Sequence, residues 1–453
     1  MGPGITRPCR HRLTVGGVGR AGLWAMITPA TATLPAEADL VVVGAGIVGI
    51  ATALALRLAG REVLLVDRGP PGGETSHGNT GVLVESPWRI LAGGELLRRL
   101  PGILLGRSTV VRVAPEHLVA ALPLFLRLMR GADRSEARAL QLHRLLRDSV
   151  ALHRRWIVAA GASDLLRETG WLKLFRTPKA EAGFAPDLEL LRRAGTAHRL
   201  LDGAAVQALE PALAPGGTGG VLLEDACSLS SPRALSLRYA AHFQRLGGEL
   251  VQAGIRALRP ATGGWRLEHS AGSLRARHVV VAAGPWSADL LAGLGLRLPL
   301  HAERGYHLHL APGPGPALRR PVHDIAGGYV MTPQADGVRV TSGIEIAARD
   351  APGDPRQIRR AANLAQAAAG LGAVIETEPW RGSRPCLPDG LPAIGPVPGP
   401  PGLWLNTGHH HVGLSLAAGS GDLLARMITG TATAEEAAPF APARFLPAAI
   451  RAA

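Results

Sequence analysis

Three glycines, Gly44, Gly46 and Gly49, sit in the stretch VVVGAGIVG, and Asp67 follows twenty-three residues after the first of them. Glycines at this spacing, between a branched apolar run and a helix start, make a phosphate cradle. Gly44 permits a tight turn, Gly46 lets the backbone approach a pyrophosphate, and Gly49 lets helix and strand pack closely. The unpaired N–H groups of the first helical turn, around Ile47 and Val48, would face the phosphates with the positive end of the helix dipole. Asp67, with Arg68 beside it, would accept hydrogen bonds from a ribose diol. The chemistry on offer is dinucleotide binding. The choice left open is between a nicotinamide that comes and goes and a flavin that stays.

The elements that must position these residues are legible nearby. From Ala38 the chain reads strand (DLVVVGAG), helix (IVGIATALALRLAG) and strand (EVLLVDRG), a βαβ unit. Residues 96–160 repeat Leu, Val and Ala at helical spacing with Arg between. Such helices either pack on a sheet or rest an apolar, basic face on a membrane surface. Short strands are expected in GWLKLFRT and GGVLLEDACSLSS, then a helix in PRALSLRYAAHFQRLG. Strands follow in ELVQAGIRAL, WRLEHS and ARHVVVAAG, the last an apolar run suited to a buried parallel strand. Alternation in GYHLHLA, YVMTPQ and GVRVTSGIEIA predicts an antiparallel sheet in a second domain. A helix around IRRAANLAQAAAG, the strand LWLNTG and the helix LSLAAGSGDLLARMITG end the pattern.

Composition narrows the class. A chain of 453 residues, 47% hydrophobic and 19% charged, suits a globular protein of two domains. The net charge of +14 invites a nucleic-acid reading, but 47 of the 49 basic residues are arginines spread without a dense block. Nucleic-acid binding is therefore not expected. Cys9, Cys227 and Cys386 make neither a disulfide framework nor a CxxC metal site, and suit a reducing, cytoplasmic compartment. The closest approach to a membrane span, from Leu40, is the strand-turn-helix itself. Residues 1–36 hold four arginines, no acid and little periodicity, and AGLWAMI makes a weak signal-peptide core. They are expected to be a disordered extension, with Met26 as an alternative start.

Four further blocks decide the opening choice. ETSHGNTGVL (74–83) is small, polar and Gly-rich; VVVAAGPWS, RPCLPDGLPAIG and LNTGHHHVGLSLAAGSG follow far downstream. Nucleotide-type strands at widely separated places suit a large cofactor buried along its length rather than a nicotinamide in a compact domain. In this order the blocks resemble the D-amino-acid oxidase superfamily of flavoproteins, most of all its D-amino-acid dehydrogenase branch, over roughly residues 38–432.

The resemblance implies an α/β protein whose FAD domain is Rossmann-like, of the glutathione-reductase type, with a second α+β domain over the flavin. The FAD domain would comprise 37–87, 228–300 and 382–435, the substrate domain 88–227 and 301–381, and 436–453 a tail. FAD would be held non-covalently, because Cys386 and His77 both stand off the positions where relatives attach flavin. Thr75, Ser76, Asn79 and Gly81 would line the flavin side. Ile255 would touch adenine through its backbone, and Ala283 and Gly284 would close over the nucleotide. Gly408, His410, Gly413 and Leu414 would run under the pyrimidine end, where a helix N-terminus stabilises the negative charge of reduced flavin. The triple His409–His410–His411 raises the question of metal, but no further ligands in register are evident, and none is expected.

Substrate recognition is also implied by the resemblance. Arg384 would clamp a carboxylate with its guanidinium fork, and Tyr329 would add a hydrogen bond. The activity implied is oxidative deamination of a D-amino acid by hydride transfer from the α carbon to flavin N5. The imine then hydrolyses to a 2-keto acid and ammonia. No general base is assigned. Glycine, sarcosine, D-hydroxyproline or a 2-hydroxy acid are alternative substrates, and a flavin-bearing subunit of a larger complex is the alternative of another class. The acceptor of the electrons (quinone, oxygen or a partner flavoprotein) has no motif. A quinone would suit contact with the inner face of a membrane through residues 96–160.

Overall fold

The computed structural model describes residues 34–89, 93–104, 108, 110–130 and 134–445. The expected extension lies almost wholly outside these residues. Strand β1 (Glu37–Val43), helix α1 (Ile47–Leu58) and strand β2 (Val63–Asp67) form the βαβ unit, with Leu40 against Val63 and Val43 against Val66 in parallel register. Leu40, Val41 and Val42 are wholly buried, because this strand is covered on both faces.

Three more parallel strands extend this sheet. Glu249–Gln252 pairs with β2, Gly272–Val281 with β1, and Leu403–Thr407 with Gly272–Val281. An antiparallel run through Ile255–Ala261 and Gly264–His269 leads into Gly272–Val281, and Ala393–Pro396 completes eight strands. The long helix Gly413–Thr429 packs between α1 and the helix Ser135–Ala159 through small residues. A Cβ on Gly421 would lie 2.8 Å from the Ala51 carbonyl oxygen, and one on Gly419 would lie 2.7 Å from Ser149 Cβ. The close approach aims the N-terminus of Gly413–Thr429 beside that of α1.

The second sheet has ten strands and is mostly antiparallel. His301–Leu310 is its long member, pairing with Gly337–Thr341, Ile344–Ile346 and Trp380–Cys386. Tyr329–Gln334, Val322–Asp324, Trp171–Phe175, Gly219–Leu223 and His198–Asp202 continue outward. The helix Arg356–Ala369 buries Ile358, Ala361, Ala362 and Ala365 against this sheet, at the three- and four-residue spacing the sequence showed.

Two local findings differ from the sequence reading. The block RPCLPDG begins inside a strand, Trp380–Cys386, so the expected domain boundary at 382 cuts an element of the second sheet. Gly382 and Pro385 disfavour a strand, but seven consecutive pairings with His301–Leu310 hold it in place. Residues 436–445, expected as a tail, carry short helical turns, and Arg444 forms an ion pair with Asp389 at 2.7 Å.

Candidate active site

The two sheets enclose one continuous cleft of about 350 Å³ that runs from β2 to the strand Trp380–Cys386. At its first end Gly44 turns with φ of +113°, and its N–H donates to the Val66 carbonyl at 2.8 Å. A Cβ there would lie 2.5 Å from the Ala282 carbonyl oxygen. Gly46 precedes α1 and faces the cleft, with only Ser76 Oγ within reach of a Cβ, at 3.3 Å. Ser76 Oγ accepts from the Ile47 N–H at 2.9 Å, so it caps the first turn of the phosphate helix. Ile47 and Val48 line the same wall.

Asp67 ends β2 in the cleft. Its oxygens accept from the Ala45 N–H at 2.5 Å and the Gly69 N–H at 2.8 Å. Burial raises its pKa, against the pull of these two backbone donors. Arg68 lies over the Trp286 ring at 4.0 Å and pairs with Glu74 at 3.2 Å. Ile255, Ala283 and Gly284 line this end with Trp286. Trp286 is a site residue that the sequence reading passed over; its signal was the PW pair after Gly284.

Thr75 and Asn79 also line the cleft. Thr75 Oγ1 donates to the Ser383 carbonyl at 2.6 Å, tying this loop to the strand Trp380–Cys386. Asn79 Oδ1 accepts from the Gly81 N–H at 2.8 Å. Three of the glycines stand behind the wall: Gly49 in the close packing expected of it, Gly81 and Gly408 away from the cofactor side expected of them. Gly49 meets Gly44, where a Cβ would come within 1.8 Å of its carbonyl oxygen. Gly81 and Gly408 supply turns with positive φ, +85° and +83°. Their share in the site is to shape the backbone rather than to touch a ligand.

At the far end Gly413 and Leu414 begin the long helix. The three histidines before it separate in role. His409 Nε2 is 3.1 Å from Ser420 Oγ in the interior. His410 is the one non-glycine residue with positive φ among the described residues, at 51°, a conformation that costs on the order of 1 kcal/mol or more. Its Nε2 accepts from the Leu387 N–H at 3.0 Å, so Nδ1 carries the proton. That Nδ1–H is buried without a partner among the described residues, on a residue that lines the cleft. Burial lowers the ring's pKa to about 3, so it is neutral. His411 Nε2 is 2.8 Å from Glu303 Oε2.

Arg384 lines the cleft on the same side. Its guanidinium lies over Gly305, where a Cβ would be 2.2 Å from Nη2. Its one hydrogen bond among the described residues is long, 3.4 Å to the Gly343 carbonyl. Among the described residues no carboxylate lies within 4.0 Å of it. Tyr329 is the residue that the structure removes from the site. Its side chain is 1% exposed in the core of the second sheet, and its hydroxyl donates to Asp324 at 3.1 Å. Strand alternation puts it on the far face. Tyr306 borders the cleft, but by register its side chain shares the face and core cluster of Tyr329, where its hydroxyl donates to Glu345 at 2.5 Å and accepts from the Asp354 N–H at 3.0 Å. A third hydrogen bond from a tyrosine is therefore not available to the substrate here.

The fold also assembles metal-type side chains that sequence spacing did not show. His301, Glu303 and Cys386 converge, as do His307, His309 and Glu376. Both groups already have other occupations. Glu303 is held by His301 and His411, and His309 Nε2 accepts from Arg339 at 3.0 Å. A neighbouring guanidinium in each case opposes a cation.

The donor set fits FAD. Close-approach glycines and two helix N-termini suit a pyrophosphate and a flavin pyrimidine, Asp67 suits a ribose, and the orphaned His410 Nδ1–H awaits an acceptor. Comparison with known proteins agrees. The family model described as FAD dependent oxidoreductase, DAO, matches residues 39–427. The chain is 31% identical to a D-amino-acid oxidase of Bradyrhizobium diazoefficiens, over 91% of this chain and 100% of that protein. It is 33% identical to D-amino acid dehydrogenase 2 of Ralstonia nicotianae, over 90% and 100%. Glycine oxidase from Geobacillus kaustophilus shares the fold with a TM-score of 0.70 at 22% identity, covering 91% of this chain and 100% of that one. L-proline dehydrogenase from P. horikoshii does so at 0.71 and 17%, covering 91% and 98%. With its glycine cradle, Asp67 and His410 around one cleft, the chain belongs to the DAO family of FAD-dependent oxidoreductases.

Proposed function

We propose that this protein oxidises a D-amino acid to a 2-imino acid, which water hydrolyses to a 2-keto acid and ammonia, and that it works as a dehydrogenase. The observation that carries the reading is Arg384. A guanidinium with no carboxylate within 4.0 Å among the described residues, although Glu303 stands opposite it on the neighbouring strand, faces a cleft whose other end is built for a dinucleotide. A two-pronged grip on a carboxylate is what that geometry offers. The relatives named for D-amino acids support the choice of substrate. Bound FAD supplies the hydride acceptor at N5. The chain's own residues hold the carboxylate at Arg384, keep bulk water from the reacting carbon, and place a helix N-terminus and the His410 Nδ1–H where negative charge develops.

The test is an absorbance spectrum of the purified protein without oxygen, before and after adding D-amino acids. The flavin bands are expected to bleach, and to stay bleached when air is admitted. Bands that persist with every D-amino acid sink the reading. Bleaching by glycine, sarcosine, D-hydroxyproline or a 2-hydroxy acid alone moves the substrate, and bleaching by none of them moves the role to a subunit of a larger complex.

A second observation favours a membrane quinone as the acceptor. The helix Leu118–Arg130 leaves Leu118, Val119, Leu122 and Leu126 exposed on one face, Val119 by 86%, with Arg127 exposed nearby. No helix among the described residues is long and apolar enough to cross a membrane. An apolar stripe with arginine beside it suits the inner, anionic face of a bilayer. Burying one valine is worth about 1.5–3 kcal/mol, so Val119→Asp is expected to cut sedimentation with anionic phospholipid vesicles by about tenfold or more at low salt. Wild-type protein that never sediments with those vesicles overturns it.

A further inference from the structure

The proposed deamination, on which this inference rests, needs a proton removed first. An α-amino acid in water carries an ammonium group. Its nitrogen has no lone pair to stabilise the carbon as the hydride leaves. A side chain at the substrate end offers a place for that proton.

His411 lines the cleft, as Arg384 does. Its Nε2 faces Glu303 Oε2 at 2.8 Å, and Glu303 Oε1 is 3.2 Å from His301 Nε2. Glu303 and Arg384 are direct partners across neighbouring strands. A ring nitrogen facing a carboxylate carries the proton, which leaves a lone pair on Nδ1 of His411. That side chain is 25% exposed, and its one hydrogen bond among the described residues runs through Nε2, leaving Nδ1 open. Its neighbours cannot substitute. His410 presents a proton rather than a lone pair to the cleft, and His409 is engaged with Ser420.

We propose that His411, oriented by Glu303, accepts the ammonium proton of the substrate held by Arg384. One N–H bond of the ammonium breaks, its electron pair stays on nitrogen, and the proton bonds to Nδ1. The new imidazolium then faces the Glu303 carboxylate. When the hydride leaves with its two electrons for the FAD of this family, the nitrogen lone pair closes the C=N bond and the iminium results. The electrostatics keep the ring neutral, with its Nδ1 lone pair available, at the cost of some basicity. Burial and the Arg384 guanidinium hold the His411 pKa below the usual imidazole value, against the pull of Glu303. Burial alone would raise Glu303; hydrogen bonds from His301 and His411 outweigh it and hold the carboxyl well below its usual range. Cys386, the remaining ionisable group here, is pushed up by burial and stays neutral.

The test compares wild-type, His411→Gln and Glu303→Gln holoenzymes. Anaerobic flavin reduction by a D-amino acid is followed from about pH 4 to about pH 10, across the histidine and amine titrations. Wild-type kcat/KM is expected to be flat through neutral pH. In His411→Gln only substrate with a neutral amine reacts, so below the amine pKa kcat/KM climbs about tenfold per pH unit where wild type stays flat. Glu303→Gln keeps the ring but moves the acid limb to lower pH, because the Glu303 carboxylate raises the His411 pKa. The dissociation constant of propionate, read from the shift of the flavin bands, is expected to be the same in His411→Gln as in wild type, since propionate has no ammonium. It also reports that the site is folded. A His411→Gln enzyme with the wild-type pH profile, whatever its rate, overturns the inference while leaving the deamination itself intact. Should His411→Gln lose its flavin, the profile of Glu303→Gln decides, and an unshifted acid limb overturns it. A wild type that no D-amino acid reduces fails the function instead.

Discussion

Replacing Arg384 by alanine is expected to raise the KM for the D-amino acid from about 30-fold to a few thousand-fold, with FAD still bound. The range corresponds to the about 2–5 kcal/mol lost when one partner of a buried charge pair is removed. The guanidinium is clamped over Gly305 and has one long bond to the protein, so its donors are held for a ligand. Removing it leaves the substrate carboxylate facing Glu303 with no countercharge. Arg384→Lys keeps the charge but loses the planar fork, and is expected to recover only part of the loss. Tyr329→Phe is the internal control. Its hydroxyl serves Asp324 on the far face of the sheet, so KM should not move. An unchanged KM in Arg384→Ala refutes the carboxylate role; a raised KM in Tyr329→Phe shows that the tyrosine reaches the substrate after all.

Gly49→Ala is expected to yield a colourless protein. The added Cβ would stand 1.8 Å from the Gly44 carbonyl oxygen and 2.9 Å from its carbon. Both atoms belong to the turn of the phosphate cradle, and neither is the end of a flexible side chain that could swing aside. Helix α1 must move off β1, and with it go the N–H groups that would hold the pyrophosphate. Overpacking of this kind costs about 1–3 kcal/mol in stability, occasionally more, and the cofactor loses its seat as well. Gly102→Ala separates this from a generic glycine effect. Gly102 is helical, and a Cβ added to it would meet nothing within 4 Å, so that variant should stay yellow and lose no stability. Flavin stoichiometry from absorbance and a thermal melt decide both cases. A Gly49→Ala protein with full flavin content would show that the cradle can open without losing its ligand.

What could be read from the sequence was local. The βαβ unit closes within about thirty residues, so glycine spacing, branched apolar runs and Asp67 carry nearly all the information it needs. The apolar run Val279–Val281 likewise declares a strand end buried on both faces, whatever lies beside it. Long-range pairing was not written in any such run. The strand Trp380–Cys386 contains glycine and proline and exists because His301–Leu310 offers it a full set of backbone partners. Tyr329 shows the limit of alternation. A period of two says that neighbouring side chains face opposite ways, but which way is the cleft depends on where the other sheet docks.

The amino-acid sequence by itself determined the dinucleotide cradle, the family, and the presence of an arginine and a histidine triplet near the chemistry. Only the tertiary structure decided what each of these side chains meets. Arg384 faces Glu303 across the strand pair without an ion pair within 4.0 Å among the described residues, and His411 acquires Glu303 because residues 108 positions apart in the chain end at one hydrogen-bond distance. Spacing along a chain sets local geometry through the backbone. Charge pairing and exposure are set by what the rest of the fold brings within a few ångströms, where electrostatic energies are largest.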